Sequence, residues 1–480
     1  MKLREISRLF GYVAPEDFKG DIDITRVVTS SELADRDALF YARDGKRHLA
    51  RDTVNDAIAH GCYAVLTSSE LPLLSVCSFC SNKARKMALT LEKHLFYEVL
   101  RDMRFVFVTG TKGKTTTAHM LSHILKKRGV ACATCGTLGF SFGEIHSTLK
   151  NTTPDIFTLL PLLSRAYEDG ARMCILEVSS QALRDFRIDG IRGEYAIFTG
   201  IGADHIDGEE HESFHAYREA KRRLFCDFGV TSAFSPRSAS LAPFMINGVK
   251  NRFYVDTAAP SDLTLYPLKM SKTDILYTDG MHRDTLPLSG VYNLENAALA
   301  LLCSSEILCV PPHTLYPALR DFSIAGRGER IALFGREILI DYAHNADSIE
   351  ALARGTRPFV RGRMIAVCGA VGDKARARRQ GIAYVLSHEF DYTVLTEDDT
   401  VSEKREDILA LLYSLFPDKG RVCAVADREQ AIRHALDISQ EGDCVLLLGK
   451  GHERTLLRGG VAIPFSEREI VLEYFAKNTE

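Results

Sequence analysis

Residues 105–117 run Phe-Val-Phe-Val-Thr-Gly-Thr-Lys-Gly-Lys-Thr-Thr-Thr, and no other stretch constrains the fold as tightly. An apolar run that breaks at once into Gly110, Thr111, Lys112, Gly113, Lys114 and Thr115 reads as a buried strand, a glycine turn and a helix start. Such a turn aims successive backbone N–H groups at one point, and the helix N-terminus adds partial positive charge, so the feature suits phosphate. Lys114 supplies a full charge for β- and γ-phosphates, and the Thr115 hydroxyl is a ligand for Mg2+. The general phosphate-loop pattern has a glycine where this chain has Val108. The strand before the loop and the helix-like stretch 119–127 after it favour that reading over a basic surface turn. The expectation is an α/β protein that spends ATP with Mg2+.

The rest of the chain is organised in the same way. Its 480 residues leave room for about two to four domains. The first segment, 1–98, mixes strand-like runs (23–29, 64–67) with a helical one (53–60), and 83–102 reads as a charged helical connector. The second, 99–325, opens on the phosphate loop and has further buried-strand runs at 173–178 and 195–199; a less regular, β-rich excursion over 230–290 precedes a helix at 290–308. The third, 326–480, reads as βαβ with strands 338–342, 364–368, 392–396 and 444–448, each ending in a loop bearing Gly, Asp or His. Strands alternating with helices imply parallel sheets with ligands at the strands' C-terminal ends.

Composition narrows the function. A net charge of −3 gives no reason to expect nucleic acid as a partner. The first residues lack the apolar core of a signal peptide, and no apolar run approaches membrane-spanning length. The twelve cysteines are scattered, mostly inside apolar runs, and the Cys77/Cys80 pair has no second pair or histidine beside it. Buried free thiols in a reducing compartment follow, and with them a cytoplasmic location without membrane insertion.

Acidic and imidazole side chains fall where the sheet would use them. Glu177 ends the run Met-Cys-Ile-Leu, and Asp204-His205 follows the run 196–199 in the same manner. Glu177, His205 and Thr115 are therefore candidates to converge on Mg2+, with phosphate oxygens completing its shell.

These residues carry a resemblance to a known family. Gly110 to Thr116 resembles the Gly-Thr-Asn-Gly-Lys-Thr-Thr loop of the Mur ligases, with Lys112 in place of Asn. Thr152-Thr153-Pro154-Asp155, Glu177-Val178-Ser179-Ser180-Gln181-Ala182-Leu183 (Gln181 in place of His) and Asp204 to Asp207 match further motifs. So do Ala220-Lys221 with Leu224-Phe225, the Asn293/Asn296 helix, Gly326-Arg327 with Glu329, Asp341-Tyr342-Ala343-His344, Gly449 to Glu453, and Pro464-Phe465 with Arg468-Glu469. The order and spread of the matches point to the MurE type, which adds the third residue of the peptidoglycan stem to a UDP-N-acetylmuramoyl dipeptide. The resemblance implies three domains: a small N-terminal α/β uridine-binding domain, a central P-loop ATPase-type parallel sheet and a C-terminal Rossmann-like domain, in a monomer.

It also assigns roles. The dipeptide's carboxylate is phosphorylated by ATP, and an amino group attacks the acyl phosphate. Gly110, Thr111, Lys112, Gly113, Lys114, Thr115, Thr116, Asn293, Asn296, Arg327, Asp341 and His344 are expected at ATP. Thr115, Glu177, His205 and Lys221 as a carbamate are expected at the metal. Lys114, Lys221, His205 and Glu177 are the catalytic candidates. Ser30, Thr152, Thr153, Ser179 and Arg187 are expected at the UDP-linked substrate. Arg379, Asp398, Asp399 and Glu453 are expected at the free amino acid. Family members that add meso-diaminopimelate carry Asp-Asn-Pro-Arg after a C-terminal strand; here Asp398-Asp399-Thr400-Val401 stands in its place. Valine cannot pair a buried carboxylate and the loop is acidic, so L-lysine or L-ornithine is the favoured amino acid, with diaminopimelate as the alternative. A folylpolyglutamate-type ligase and a non-catalytic nucleotide-binding protein are the other readings.

Overall fold

The computed structural model describes residues 1–12, 22–42, 50–71, 76–202, 212–373, 376–400 and 402–477. Asp204, His205 and Val401 lie outside the described residues. The chain divides into two compact units, Met1–Tyr254 and Val255–Glu480.

Unit 1 opens with a four-stranded parallel sheet of β1 (Arg26–Val28), β2 (Ala38–Tyr41), β3 (Ala64–Thr67) and β4 (Cys77–Cys80), in that order. The strand expected over 23–29 is shorter, because Asp23 makes only an isolated bridge to Lys2 and the chain turns at Ser30 into a short 3-10 helix, Ser31–Leu33. The connector expected over 83–102 is two helices, Ala84–Leu95 and Tyr97–Asp102, meeting at Phe96.

The larger sheet of unit 1 is built on β5 (Arg104–Thr109), β6 (Cys132–Gly136), β7 (Gly139–Phe142), β8 (Ile145–Ser147), β9 (Met173–Glu177), β10 (Tyr195–Phe198), β11 (Ser232–Pro236) and β12 (Asn251–Asp256), ordered β12-β11-β10-β5-β9-β6-β7-β8. Strands β5, β6, β9, β10 and β11 pair in parallel, and β7 and β8 fold back antiparallel. The parallel strands are buried on both faces, which is why they read as unbroken apolar runs. Register carries the chemistry: Val108 pairs Glu177, Cys135 pairs Leu176 and Thr109 pairs Phe198, so the residues following β5, β6 and β9 emerge at one edge.

Unit 2 starts with the end of β12, paired in parallel with β13 (Leu263–Thr264). An antiparallel sheet of β14 (Tyr266–Met270), β15 (Ile275–Thr278) and β16 (Arg283–Leu286) follows, and then the helix Val291–Leu308. Its main sheet holds β17 (Glu329–Leu333), β18 (Arg336–Asp341), β19 (Met364–Cys368), β20 (Tyr392–Leu395), β21 (Val422–Ala424) and β22 (Cys444–Leu448), ordered β17-β18-β22-β19-β20-β21. Only β17 runs antiparallel to its neighbour. A hairpin of β23 (Thr455–Arg458) and β24 (Val461–Pro464) follows. Asp341 pairs Leu448, Leu448 pairs Cys368 and Cys368 pairs Leu395, so four loops leave the sheet at the same level.

Candidate functional site

In unit 1 the loop after β5 turns at Gly110, with φ +155°, and the helix Lys114–Lys127 begins after Gly113, with φ +81°. A Cβ on Gly110 would stand 2.0 Å from Thr199 Oγ1 and 3.0 Å from Gly200 O, so only glycine fits there. Lys114 folds over the loop and donates to the carbonyls of Gly110 (3.0 Å) and Thr111 (3.1 Å). Thr199 Oγ1 donates to the Lys112 carbonyl, and the Lys112 residue is exposed. Thr111 Oγ1 lies 2.8 Å from the Tyr217 hydroxyl and accepts from Gly202 N at 2.9 Å. Thr115 and Thr116 are buried in the first turn of the helix, whose N-terminal N–H groups face the loop.

Glu177, at the end of β9, is buried. Its Oε2 accepts from Thr115 Oγ1 at 2.8 Å and from Thr137 Oγ1 at 3.1 Å; its Oε1 accepts from Thr137 N at 3.1 Å. The next segment continues the network. Thr153 Oγ1 donates to the Glu177 carbonyl (2.9 Å) and accepts from Ser179 N (2.9 Å), while Thr152 Oγ1 lies 3.2 Å from Thr137 Oγ1. Ser179 caps the short helix Ser180–Arg184 through Ala182 N. Arg187 reaches the Thr153 carbonyl at 3.3 Å and the Asp185 carboxylate at 3.2 Å. Phosphate loop, acidic strand end and Thr152-Thr153 loop thus form one hydrogen-bonded set.

Lys221 belongs to the basic run 218–223 and is nonetheless buried. It lies on the inner face of the helix Phe214–Asp227, buried, with Nζ 2.9 Å from the Gly110 carbonyl and 4.9 Å from the centre of the Tyr217 ring. Ser30 precedes its 3-10 helix without a side-chain cap bond. His205 falls outside the described residues, so its place at the metal is not part of this geometry.

Unit 2 carries the remaining candidates. Asn293 donates to the Ser289 carbonyl at 2.7 Å, and Asn296 lies buried one turn further along the helix. Arg327 stacks on the Tyr342 ring at 4.5 Å. Asp341 accepts from Gly328 N (2.7 Å) and Ala343 N (2.8 Å); burial pushes its carboxyl up, against the pull of Arg327 and those two N–H groups. His344 Nδ1 lies 2.8 Å from the Tyr342 carbonyl.

The residues expected at the amino acid are engaged with one another or with neighbours. Arg379, buried, makes a forked pair with Glu403 at 2.6 and 2.8 Å. Asp399 Oδ1 accepts from buried Lys450 at 2.8 Å and from Leu457 N at 2.9 Å, and Lys450 also pairs with Glu453. Asp398 accepts from Asp399 N and lies in the field of Arg428 and Lys450. Glu397 is held by Arg458 at 3.1 Å and Arg405 at 3.4 Å. Burial pushes the Glu453 carboxyl up, against the pull of Lys450. The loop read as a net acidic receptor for an ammonium is therefore largely neutralised from within. Lys450 and Arg458 lie far along the chain, which is why the acidic run looked uncompensated. Beneath these loops a fully buried pair, Arg428 and Glu467 at 2.7 Å, binds the carbonyls of Glu397 (3.1 Å) and Leu448 (2.6 Å) and the N–H of Gly451 (3.1 Å).

Sequence reasoning missed Gly136, Thr137, Tyr217, Glu403 and the Arg428–Glu467 pair. Of these only Gly136-Thr137 had a local signal, a Gly-Thr-Leu-Gly turn directly after an apolar strand.

Residues 108–304 match the Mur ligase middle domain, and residues 326–451 match the Mur ligase, glutamate ligase domain. The chain is 31% identical to the UDP-N-acetylmuramoyl-L-alanyl-D-glutamate–2,6-diaminopimelate ligase of Synechococcus elongatus over 477 residues, 95% of this chain and 94% of that protein. A solved UDP-N-acetylmuramoyl-L-alanyl-D-glutamate–2,6-diaminopimelate ligase has the same fold, with a TM-score of 0.65 at 24% identity over 100% of this chain and 99% of that one. The MurF ligase of Thermotoga maritima, solved in complex with ADP, matches with a TM-score of 0.64 at 18% identity over 94% of this chain and 97% of that one. The chain belongs to the Mur ligase family.

Proposed function

We propose that this protein is an ATP-dependent ligase that joins UDP-N-acetylmuramoyl-L-alanyl-D-glutamate to a third amino acid during peptidoglycan synthesis, in the cytoplasm. The observation that carries the reading is the hydrogen-bonded set from Thr115 through Glu177 to Thr152, which links a phosphate loop to an acceptor-side loop within one unit.

The chemistry follows from charge. A carboxylate oxygen takes the γ-phosphoryl group and ADP leaves; the amine nitrogen then attacks the acyl carbon, loses a proton, and phosphate departs. The first step brings anion against anion, so the loop's N–H groups and Lys114 must offset the repulsion. Glu177 and Thr115 offer hard oxygen donors 2.8 Å apart, and among the described residues no group of three or more His, Cys, Asp or Glu suits a metal. That donor set fits a Mg2+ whose remaining ligands are phosphate oxygens, and the ion supplies further charge neutralisation when bound. Arg187 and the Thr152 and Thr153 hydroxyls serve the UDP-linked substrate. Lys221, buried beside Gly110, is the residue read as a carbamate; a mass one CO2 heavier on the peptide containing Lys221 tests that.

The names of the full-length relatives make 2,6-diaminopimelate the leading amino acid. The internal pairing of Asp399 with Lys450 and of Glu397 with Arg458 supports this choice, because it removes the charge argument for a distal ammonium. Val401, where diaminopimelate-adding members carry arginine, favours L-lysine or L-ornithine as the second reading. Phosphate release with the UDP-muramoyl dipeptide, ATP, Mg2+ and single amino acids decides between them. Diaminopimelate-dependent release is expected. Release with lysine or ornithine alone selects the second reading, and silence with all of them refutes the ligase assignment.

A further inference from the structure

We propose that Thr137 is a positioning residue that holds the Glu177 carboxylate in register with the phosphate loop and ties that register to the Thr152-Thr153 loop. This rests on the ligase reading above and deepens it.

Thr137 is the first residue after β6 and lies outside the motifs quoted above. It engages both oxygens of one buried carboxylate, through its N–H (3.1 Å to Oε1) and its hydroxyl (3.1 Å to Oε2). A side chain held at both oxygens has little freedom to rotate about its last bond. The residue before it completes the cradle: a Cβ on Gly136 would lie 2.0 Å from Glu177 Oε1. Glu177 therefore packs into a space that only glycine leaves open.

The hydroxyl has one proton and two lone pairs. The Glu177 carboxylate has no proton to give, so Thr137 donates there and accepts from Thr152 Oγ1, 3.2 Å away. The chain of donation runs from Thr152 through Thr137 to Glu177, where Thr115 of the phosphate loop also donates at 2.8 Å. If substrate engages the Thr152 hydroxyl, the bond to Thr137 weakens or reorients, and the carboxylate that faces the phosphate loop responds. Thr137 is thus the shared residue through which acceptor binding and nucleotide binding sense each other.

The test uses the full-length protein, Mn2+ with ADP as the probe, and binding measured by calorimetry with and without the UDP-muramoyl dipeptide. Thr137→Val keeps the shape and the N–H bond and removes the hydroxyl. It is expected to weaken Mn2+–ADP binding about 10-fold, the order seen when a ligating carboxylate loses an outer partner. It should also abolish any change in that affinity on adding the dipeptide, while Thr137→Ser restores both. Thr137→Ala, which also keeps the N–H bond to Glu177 and removes the hydroxyl, should show the same two losses; it carries the test if Thr137→Val fails to fold. Wild-type affinity and response in Thr137→Val, or in Thr137→Ala where Thr137→Val fails to fold, overturns the proposal, as does a wild type that binds the dipeptide with no change in Mn2+–ADP affinity. A wild-type protein that binds Mn2+–ADP but not the dipeptide instead refutes the ligase reading, and the Thr137→Val affinity arm still reads the positioning role.

Discussion

A single carboxylate concentrates the physics of unit 1. Glu177 accepts three hydrogen bonds from two chain segments, and the space for it exists because residue 136 has no side chain. Gly136→Ala must push the carboxylate out of place. Turnover is expected to fall about 100-fold, the scale of an ångström-sized misplacement, with stability lowered by about 1–3 kcal/mol through the overpacked contact. Steady-state kinetics alongside circular dichroism checks this. A second buried acid lies away from the site. Glu92 accepts from Val27 N at 3.1 Å, its other oxygen is unpartnered, and burial holds its pKa well above the ordinary value. A raised folded pKa means that the folded state binds the proton more tightly, so stability is lost as pH rises through that range. Glu92→Gln should match the wild type at low pH and exceed it at neutral pH by roughly 1–2 kcal/mol, as read from denaturant melts across pH. A gap that shrinks with rising pH contradicts this.

At the scale of elements, the C-terminal loops of unit 2 depend on a charge pair with no exposure of its own. Arg428 begins the helix Arg428–Ile438 and Glu467 begins the helix Glu467–Lys477, so two helix starts and the loops after β20 and β22 share one ion pair. Removing one partner strands a buried charge and the groups it satisfies. Arg428→Met alone is expected to cost about 3–5 kcal/mol, and Arg428→Met with Glu467→Leu to recover most of the loss. Urea denaturation of the single and double variants measures this; a double variant no more stable than the single would show that the backbone contacts, not the charge, dominate.

For the whole molecule, ligands that bind the folded state alone stabilise it by mass action. ADP with Mg2+ at about 100 times its Kd should add about 2.7 kcal/mol to the unit it binds, raising its unfolding midpoint. Lys114→Ala should lose that rise together with turnover, as a thermal scan at matched nucleotide concentrations will show. Because the chain has two compact units, the scan is expected to show two transitions, and the nucleotide should move at least the one that belongs to Met1–Tyr254, which carries the phosphate loop.

The phosphate loop, the parallel strands and the acid at the end of β9 were legible in the sequence because each depends on neighbours in the chain. Apolar runs must be buried, glycine must turn, and the residue after a strand must emerge at the sheet edge. The burial of Lys221, the neutralisation of Asp399 by Lys450, the capture of Arg379 by Glu403 and the role of Thr137 depend instead on which distant segments meet. Asp399 and Lys450 are 51 residues apart, and Thr137 and Glu177 are 40. Local spacing reports charge without its partner, and a buried charge is defined by its partner. The sequence by itself therefore determined the fold class and the nucleotide chemistry, while only the tertiary structure decided which charges remain for a substrate to find.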